Sequence, residues 1–413
     1  LPSLQYVIED TGAEMLVVSR DFRQVLEDHA KGNDLPLLTL EDHQEDANIS
    51  SSLPDVSADR NALILYTSGT TSKPKGVVTT HANIEAQIST LVAAWEWSSD
   101  DHTLCVLPLH HVHGIINVIG CSLWVGATCA FIPHFSAEAT FRIFQEGRLN
   151  VFMAVPTIYF KLIAHFESLP EDGKASLTSV MRRFRLMVCG SAALPVTVME
   201  KWEAISGHRL LERYGMTELG MAISNPYRGQ RRAGYVGMPL PSVQVRLMDD
   251  QGNEVGPDMP GEIQVRGPNV FKEYWGKPEA TRESFTADGW FRTGDVAVVE
   301  KGYYRIMGRS SVDIIKSGGY KISALEIEEV LRTHEWVDDC AVVGVDDEEW
   351  GERIVAAVIP TAIGKESFDA SILNQWLVQR MAGYKKPRKY LVVDELPRNA
   401  MGKVVKNDVK RLF

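Results

Sequence analysis

Residues 66–76 read Tyr66-Thr67-Ser68-Gly69-Thr70-Thr71-Ser72-Lys73-Pro74-Lys75-Gly76 and directly follow the apolar run Ala62-Leu63-Ile64-Leu65. An apolar strand thus leads into a loop of hydroxyl residues, glycines and lysines. Loops of this composition bind phosphate through backbone N–H groups, hydroxyls and an ammonium group. The loop is not a Walker A sequence, because Lys75 precedes Gly76 and no Gly-Lys-Ser/Thr triplet is present. Composition alone leaves two interpretations open, a phosphate-binding loop and a solvated turn.

Segments of strand length alternate with helical segments from the start of the chain to about residue 235. The apolar runs have the length and composition of buried strands, and they lie at residues 15–18, 62–66, 151–155 and 186–188. Helical patterns separate them, for example at 83–94 and 196–205. This order is typical of an α/β fold with a doubly wound sheet.

Between about residues 236 and 308 the pattern changes to short alternating strands. Residues 243–247 and 261–265 alternate apolar and polar side chains, and the turn sequence Asp249-Asp250-Gln251-Gly252 lies between them. Such alternation around a turn predicts a small antiparallel β unit.

A smaller α+β segment is predicted after Gly308, with a helix at about 323–333 and strands at 340–345, 354–360 and 390–393. A chain of 413 residues is too long for one ordinary core. We therefore expect a large multi-layer domain over residues 1–308, which includes a β-rich subdomain at about 236–308. A small α+β domain is expected over 309–413, with the link at 308–313.

The composition argues against several classes of protein. The net charge of -11 is unlike the basic face of a nucleic-acid-binding protein. Five cysteines, an odd number without a Cys-x-x-Cys pair, indicate a reduced intracellular compartment. The uncharged run 114–132 contains Asn117 and Ser122, so we interpret it as a buried helix and strand rather than a membrane span.

A series of further motifs follows the loop in a fixed order. They are Leu107-Pro108-Leu109-His110-His111-Val112-His113-Gly114, Gly190-Ser191-Ala192-Ala193-Leu194-Pro195, Glu212-Arg213-Tyr214-Gly215-Met216-Thr217-Glu218, Trp290-Phe291-Arg292-Thr293-Gly294-Asp295, Gly308-Arg309, Lys316-Ser317-Gly318-Gly319-Tyr320-Lys321 and Pro397-Arg398-Asn399-Ala400-Met401-Gly402-Lys403. Each motif alone is a weak signal. Together with residues 66–76, the ordered series resembles the adenylate-forming superfamily, which includes acyl-CoA synthetases, luciferases and peptide-synthetase adenylation domains. The resemblance spans nearly the whole chain.

This resemblance implies an ATP-dependent acid–thiol ligase of the acyl-CoA synthetase type. Such an enzyme activates a carboxylic acid as its acyl-AMP and then passes the acyl group to coenzyme A. Attack of a carboxylate on an α-phosphate brings two anions together, so cations must screen them and hold the leaving pyrophosphate.

Nucleotide-binding roles follow from the resemblance by position. Glu218 is the expected Mg²⁺ ligand, because Mg²⁺ takes one or two carboxylates plus phosphate oxygens. Thr217 is expected at the α-phosphate, and Lys403 is the expected catalytic cation of adenylation. The residues expected at the β- and γ-phosphates are Thr67, Ser68, Gly69, Thr70, Thr71 and Lys75. Asp295 is expected at the ribose, and Arg309 at the ribose or a phosphate. Gly190, Tyr214 and Gly215 are further expected contacts of the nucleotide.

Most of these residues also have an ordinary structural interpretation. Glu218 could be an acid at a helix N-terminus, Asp295 a turn residue, and Lys403 a solvated charge. The ordered context favours the catalytic interpretation of each. A metal site at the histidines of residues 110–113 is not favoured, and the resemblance places His113 at the wall of the acyl pocket.

The adjacent glycines Gly318 and Gly319 let backbone approach a ligand closely, although a plain hairpin turn is the alternative. In the family, the small C-terminal domain is mobile and rotates between the two half-reactions. One pose inserts the lysine corresponding to Lys403, and the other brings the glycine loop to the acyl-AMP.

Residues 155–161 and 212–237 resemble the malonyl-CoA synthetase branch of the family. Malonate or methylmalonate carries a second carboxylate, and burying that group without a cation is costly. Arg231 is the first candidate, because a guanidinium binds a carboxylate bidentately, and Lys161 is the second. An exposed surface charge is the alternative interpretation of both.

Three other functions stay open on the sequence. They are a medium-chain or other acyl-CoA synthetase, a truncated nucleotide-binding protein without catalysis, and an adenylation domain that serves a carrier protein. The N-terminal part of the usual large domain is expected to be missing. We further expect a monomer or homodimer, no nucleic acid, no integral membrane association, and a location in the cytoplasm or, in a eukaryote, the mitochondrial matrix.

Overall fold

The computed structural model describes residues 2–42, 54–67, 74–398 and 403–413. The chain forms two compact units. The first unit is Leu1–Ala82 with Phe271–Glu283, and the second is Asn83–Val270 with Ser284–Phe413. Helices and strands are numbered below in chain order.

The described residues of the first unit form two small sheets, three α-helices and a 3₁₀ turn. Its helices are α1 Pro2–Thr11, α2 Arg20–Gly32, a 3₁₀ turn Leu40–Asp42 and α9 Pro278–Ser284, and its strands are β1 Leu16–Val18, β2 Leu37–Thr39, β3 Asn61–Thr67, β4 Lys75–Thr80 and β14 Glu273–Tyr274. Strands β1 and β2 pair in parallel, and β4 lies between β3 and β14 in an antiparallel sheet.

Here the structure corrects the expectation that the apolar runs 15–18 and 62–66 belong to the doubly wound sheet. The run 15–18 contains β1, which pairs with β2 in a separate two-stranded sheet. The apolar run 62–66 forms a strand as predicted, but it pairs antiparallel with β4 and does not join the doubly wound sheet. Only seven residues separate β3 from β4, which is too short for the crossover that parallel strands require. The candidate phosphate loop is therefore the connection of a β-hairpin.

The second unit is built on a sheet of seven strands. They are β5 His102–Cys105, β6 Thr128–Phe131, β7 Val151–Ala154, β8 Leu186–Cys189, β9 Leu211–Met216, β10 Gly220–Ser224 and β11 Met238–Pro239. The spatial order is β11-β10-β9-β8-β7-β5-β6, with β5 to β9 parallel and the last two strands antiparallel.

Helices connect the strands of this sheet. They are α3 His81–Trp95, a π-helix His113–Gly120, α4 Cys121–Val125, α5 Ala137–Gln145, α6 Pro156–Glu167, α7 Glu171–Met181 and α8 Val196–Ser206. The chain moves from β5 to β6 in one direction and then returns past β5 to β7, β8 and β9. Because such crossovers are right-handed, the helices before and after β6 lie on opposite faces. This is the predicted doubly wound arrangement.

The reversal of strand order marks one edge of the sheet. In open α/β sheets, ligands bind beyond the carboxyl ends of the strands where the order reverses. The segments that leave β5, β8 and β9 at this edge carry His113, Gly190 and the Tyr214–Glu218 motif. The topology therefore brings together motifs that are far apart in sequence.

The uncharged run 114–132 forms most of the π-helix, α4 and β6. The π-helix is buried as expected, but Leu123 and Trp124 of α4 and Phe131 of β6 are exposed, so the expectation of a buried strand is wrong. Among the described residues, no helix is both long enough and apolar enough to cross a membrane.

The predicted β unit is a four-stranded antiparallel sheet. Its strands are β12 Gln244–Met248, β13 Gly261–Arg266, β15 Phe291–Glu300 and β16 Tyr303–Arg309, in that spatial order. The alternation read from residues 243–247 and 261–265 therefore corresponds to two neighbouring strands.

The C-terminal segment forms a separate sheet with helices. Its elements are β17 Ile314–Ser317, β18 Tyr320–Ser323, α10 Ala324–Leu331, β19 Val337–Asp347, β20 Gly351–Pro360, α11 Ala362–Ser367, α12 Ala370–Val378, a 3₁₀ turn Gly383–Lys385, β21 Lys389–Val392 and α13 Lys406–Lys410. The Ser323 hydroxyl accepts from the backbone N–H of Glu326 and caps α10. The proposed boundary at residue 308 lies within the last two residues of β16, and it stays a prediction.

A buried ion pair joins the amino ends of two central strands, opposite the candidate site. Asp101 precedes β5 and Arg185 precedes β8, and the two side chains form two hydrogen bonds of 2.5 Å. The Asp101 side chain is only 1% exposed. The Arg185 guanidinium also donates to the carbonyl of Trp95 at 2.9 Å.

We expect Asp101→Ala to lower the free energy of unfolding by about 3 kcal/mol, because it leaves a largely buried guanidinium without its counter-ion. Urea denaturation measures this change. The matched control is Glu167→Ala, which removes an exposed partner of Lys201 at 3.3 Å and should cost less than about 1 kcal/mol. Equal effects of the two substitutions would contradict a stabilising role for the Asp101 pair.

Candidate active site

The hairpin between β9 and β10 places two predicted site residues at the carboxyl edge of the seven-stranded sheet. Thr217 and Glu218 lie at its tip, where the Leu219 N–H donates to the Met216 carbonyl at 3.2 Å. The tight approach of the strands requires Gly215, since a Cβ there would lie 1.9 Å from the Gly220 carbonyl oxygen. Glu218 is buried.

Asp295 lies at the centre of a second group of predicted residues. One of its carboxylate oxygens accepts a hydrogen bond from the Tyr214 hydroxyl at 2.6 Å, and the other accepts from Arg309 Nε at 2.9 Å. Tyr214 comes from β9, whereas Asp295 and Arg309 are opposite each other on β15 and β16. The α/β sheet and the β unit therefore build this group jointly.

Burial and charge act in opposite directions on Arg309. Burial alone lowers the pKa of its guanidinium, but the charges of Asp295, Tyr214 and Glu218 raise that pKa above its ordinary value. Burial, followed by the charge of Asp295, raises the pKa of Tyr214 well above its ordinary range. At neutral pH the group is therefore a phenol and a guanidinium on either side of a carboxylate.

Glu218 is suited to coordinate Mg²⁺. It is a single buried carboxylate close enough to Arg309 to affect its titration. Over residues 2–42, 54–67, 74–398 and 403–413, no group of three or more histidine, cysteine, aspartate or glutamate residues could hold a metal by itself. A single carboxylate suits Mg²⁺, because this ion takes most of its other oxygens from phosphates and water.

A third group surrounds the predicted residues His113 and Gly190. His113 Nδ1 and the Ser191 hydroxyl lie 3.2 Å apart, and Arg213 Nη2 donates to the same hydroxyl at 3.2 Å. The Arg213 guanidinium packs directly on Gly190, where a Cβ would lie 2.7 Å from its central carbon. A side chain at residue 190 would therefore displace the Arg213 guanidinium.

Arg213 is a buried cation that is only partly satisfied. Arg213 is 3% exposed, and its Nε has no hydrogen-bond partner in the described part of the chain. Burial lowers the pKa of Arg213 to about 10, so it stays charged at neutral pH. Burial and the Arg213 charge also lower the pKa of His113 well below its ordinary value, which keeps the imidazole neutral.

Sequence reasoning missed Arg213 and Ser191, although both lie inside quoted motifs. Ser191 has a φ of +71°, an unusual conformation for a residue other than glycine and one that occurs at functional sites. The available signal was the position of Arg213, between the predicted site residues 212–218. Its burial and its contact with Gly190 depend on the fold.

Arg231 is the first candidate for binding a carboxylate of the substrate, but its guanidinium donates hydrogen bonds to backbone carbonyls. Its three nitrogens donate to the carbonyls of Arg209, Tyr227 and Pro226 at 2.8, 3.0 and 3.4 Å. Burial lowers its pKa. These contacts give Arg231 a role in holding the loop after β10. Lys161 lies exposed on α6, with its ammonium 6.0 Å from the centre of the Phe135 ring.

The remaining predicted residues occupy other parts of the chain. Gly318 and Gly319 form the turn between β17 and β18, with φ values of +57° and +82°. Lys403 is exposed and lies three residues before α13. In the first unit, the Lys75 ammonium lies 4.4 Å from the centre of the Tyr274 ring, and Thr67 ends β3. Ser68, Gly69, Thr70 and Thr71 lie outside the described residues.

Comparison with known families accounts for this combination of motifs. The model of the AMP-binding enzyme family matches residues 1–275, and the model of the AMP-binding enzyme C-terminal domain matches residues 326–403. The chain belongs to the AMP-binding enzyme family. The α/β fold and the family predicted from the ordered motifs are thus confirmed.

Three relatives illustrate the similarity. The mitochondrial malonate–CoA ligase of Bos taurus is 46% identical over 443 residues, which cover 99% of this chain and 75% of the relative. ATP-bound MatB from Rhodopseudomonas palustris is 35% identical, with a TM-score of 0.89 over 99% of this chain and 81% of that chain. A malonyl-CoA ligase in a ternary product complex with methylmalonyl-CoA and AMP is 36% identical, with a TM-score of 0.67 over 96% and 83%.

We expect Tyr214→Phe to weaken AMP binding at least tenfold, because a hydrogen bond to a charged group contributes about 1.5–3 kcal/mol. Calorimetric titration with AMP measures the effect. The matched control is Tyr303→Phe, which removes a 2.8 Å hydrogen bond to the Gln230 carbonyl near the surface. If both variants bind AMP as the wild type does, Tyr214 does not position Asp295 for the nucleotide.

Proposed function

We propose that this protein is an ATP-dependent, AMP-forming acid–CoA ligase that converts malonate, or methylmalonate, to its CoA thioester. The reaction passes through an acyl-AMP and releases pyrophosphate and AMP. Membership of the AMP-binding enzyme family and the malonate–CoA ligase names of the relatives support this proposal.

The observation that carries the choice of acid is the buried Arg213. A fatty or aromatic acid would require an apolar wall, whereas this wall presents a guanidinium, a neutral imidazole and a hydroxyl. A buried guanidinium with an unpartnered N–H group favours an anionic ligand. We therefore assign Arg213 as the cation for the carboxylate of malonate that does not react.

Arg213 thus replaces Arg231 as the first candidate for the cation that binds the second carboxylate. The donors of Arg231 already serve three backbone carbonyls, so we retain Arg231 and Lys161 only as alternatives. His113 would line the pocket beside Arg213, and its neutral ring adds no charge that competes for the substrate.

The nucleotide roles rest on the groups around Asp295 and Glu218. Asp295 and Tyr214 would hold the ribose, Arg309 the ribose or phosphate, and Thr217 the α-phosphate. Glu218 would hold Mg²⁺, which supplies positive charge to the phosphates when bound. Thr67, Lys75 and the intervening loop would hold the β- and γ-phosphates. The C-terminal domain, residues 309–413, would supply Lys403 for adenylation and Gly318–Gly319 for thioester formation.

Compartment and assembly stay predictions. Four vertebrate relatives are mitochondrial malonate–CoA ligases, which supports the mitochondrial matrix over the cytoplasm. A monomer or homodimer remains the expected assembly.

The direct test is AMP formation with CoA over a panel of malonate, methylmalonate, acetate and octanoate. Preference for malonate or methylmalonate is expected. Preference for octanoate would contradict the malonate assignment and support a medium-chain acyl-CoA synthetase. Absence of turnover with every acid, together with normal ATP binding, would support a nucleotide-binding protein without catalysis.

Arg213→Met should lower kcat/KM for malonate at least tenfold, because a lost charge-assisted pair is worth about 1.5–3 kcal/mol. Activity with butyrate should change little, since butyrate has no second carboxylate. Steady-state kinetics with both acids measure the effect.

The matched variant is Arg231→Met, which tests the alternative cation. We expect Arg231→Met to affect malonate and butyrate alike, through the loop that Arg231 holds. If instead Arg231→Met is selective for malonate and Arg213→Met is not, the two assignments must be exchanged.

Lys403→Ala should abolish acyl-AMP formation and leave transfer from supplied malonyl-AMP to CoA largely intact. Loss of a positioned charge at the transition state costs about 3–4 kcal/mol, or roughly two to three orders of magnitude in rate. Single-turnover assays of the two half-reactions measure this difference. An equal loss in both would refute the assignment of Lys403 to adenylation alone.

A further inference from the structure

Asn117 is a buried amide whose hydrogen-bonding capacity is unused by the described residues. It is 0% exposed, and neither Oδ1 nor Nδ2 has a hydrogen-bond partner in residues 2–42, 54–67, 74–398 or 403–413. An amide buried in this way costs roughly 1–3 kcal/mol. Folded proteins keep few such groups, and each requires an explanation.

Other buried polar side chains of the same unit show the contrast. The Asn225 amide donates to the carbonyls of Glu212 and Tyr235 at 3.0 and 2.5 Å, and its oxygen accepts from the Arg232 N–H. Ser122, just beyond the helix of Asn117, donates to the Val118 carbonyl at 2.7 Å. These two side chains are satisfied within the fold, whereas Asn117 leaves both of its polar atoms without a partner among the described residues.

The position of Asn117 connects it to the acyl pocket. It lies four residues after His113 on the π-helix His113–Gly120. Residues four apart lie on the same face of a helix, and π-helical turns are frequent at functional sites. His113 faces Ser191 and is influenced by the Arg213 charge. Asn117 is thus on the same face of the π-helix as His113, about one turn further along it.

The three residues share a second property. His113 Nε2 and Arg213 Nε, like both polar atoms of Asn117, are buried without a hydrogen-bond partner among the described residues. All three residues are at most 3% exposed. Unused donors and acceptors on the π-helix and on the neighbouring strand β9 match a polar ligand and do not match a hydrocarbon chain.

We propose that Asn117 is a specificity-determining residue that donates a hydrogen bond from Nδ2 to the non-reacting carboxylate of the acyl substrate, beside the charge of Arg213. This inference deepens the proposed function and rests on it. A site built to hydrogen-bond a substrate group rejects analogues that lack the group, because its own polar atoms then stay unpaired. Asn117 therefore disfavours monocarboxylates of similar length as well as favouring malonate.

Asn117→Leu tests this role, since leucine has a similar volume and no hydrogen-bonding group. The ratio of kcat/KM for malonate to kcat/KM for butyrate should fall at least tenfold, while the KM for ATP stays within about twofold of the wild type. The melting temperature should hold or rise, because the substitution removes an unpaired buried amide.

Ser122→Ala is the matched control, because it removes a buried polar group whose hydrogen bond is local. It should leave the malonate-to-butyrate ratio unchanged. If Asn117→Leu does not fold, Asn117→Asp keeps the shape of the side chain and removes the NH₂ donor, and the same fall in the ratio is expected.

The outcomes separate this inference from the proposed function. Wild-type protein that prefers butyrate to malonate refutes the proposed function and with it the role of Asn117. Wild-type protein that prefers malonate, with an unchanged ratio in a folded Asn117 variant, refutes the role of Asn117 alone. A lower melting temperature with an unchanged ratio would show that Asn117 is structural.

Discussion

The reversal of strand order beside β5 is the constraint on which the site depends. Parallel strands end at a common edge, and the reversal separates the helices that would otherwise cover that edge. His113, Gly190 and the Tyr214–Glu218 motif leave the sheet at this edge, although more than 100 residues separate the first from the last. The ion pair of Asp101 and Arg185 lies at the opposite ends of the same strands. One end of the sheet is thus fixed by an internal pair, and the other presents polar groups to ligands.

The two buried arginines of the site are treated differently by the fold. Arg309 is matched by the Asp295 carboxylate, and the surrounding anions raise its pKa. Arg213 donates to the Ser191 hydroxyl, its Nε has no hydrogen-bond partner among the described residues, and burial lowers its pKa to about 10 although the nearby Glu212 acts in the opposite direction. An arginine that is paired with a carboxylate positions its neighbours. A buried arginine without such a partner gains most from binding an anionic ligand. This difference supports our proposal that Arg309 serves the nucleotide and Arg213 the acid.

Polar contacts join the C-terminal segment to the rest of the second unit. The Glu329 carboxylate of α10 accepts a hydrogen bond at 2.7 Å from the Val196 N–H at the start of α8. Lys321 pairs with Asp250 at an exposed site, at 2.6 Å. Burial raises the pKa of Glu329, and the contact with Val196 lowers it again. Interfaces between domains of one chain are often polar and allow relative motion, so these contacts are compatible with the proposed rotation of residues 309–413 between half-reactions.

The sequence alone determined the family, the α/β class and the elements, because the ordered motifs and the periodicity of apolar residues are local properties. Helix α8 and strands β7 and β8, for example, lie within one residue of their predicted bounds. Only the tertiary structure decided the pairing of β3 with β4 and the roles of the arginines. Arg213 and Arg231 carry the same charge in neighbouring motifs, and no local pattern distinguishes them. Their difference arises from what surrounds each guanidinium, three backbone carbonyls for Arg231 and a buried pocket wall for Arg213, and that environment exists only after the chain has folded.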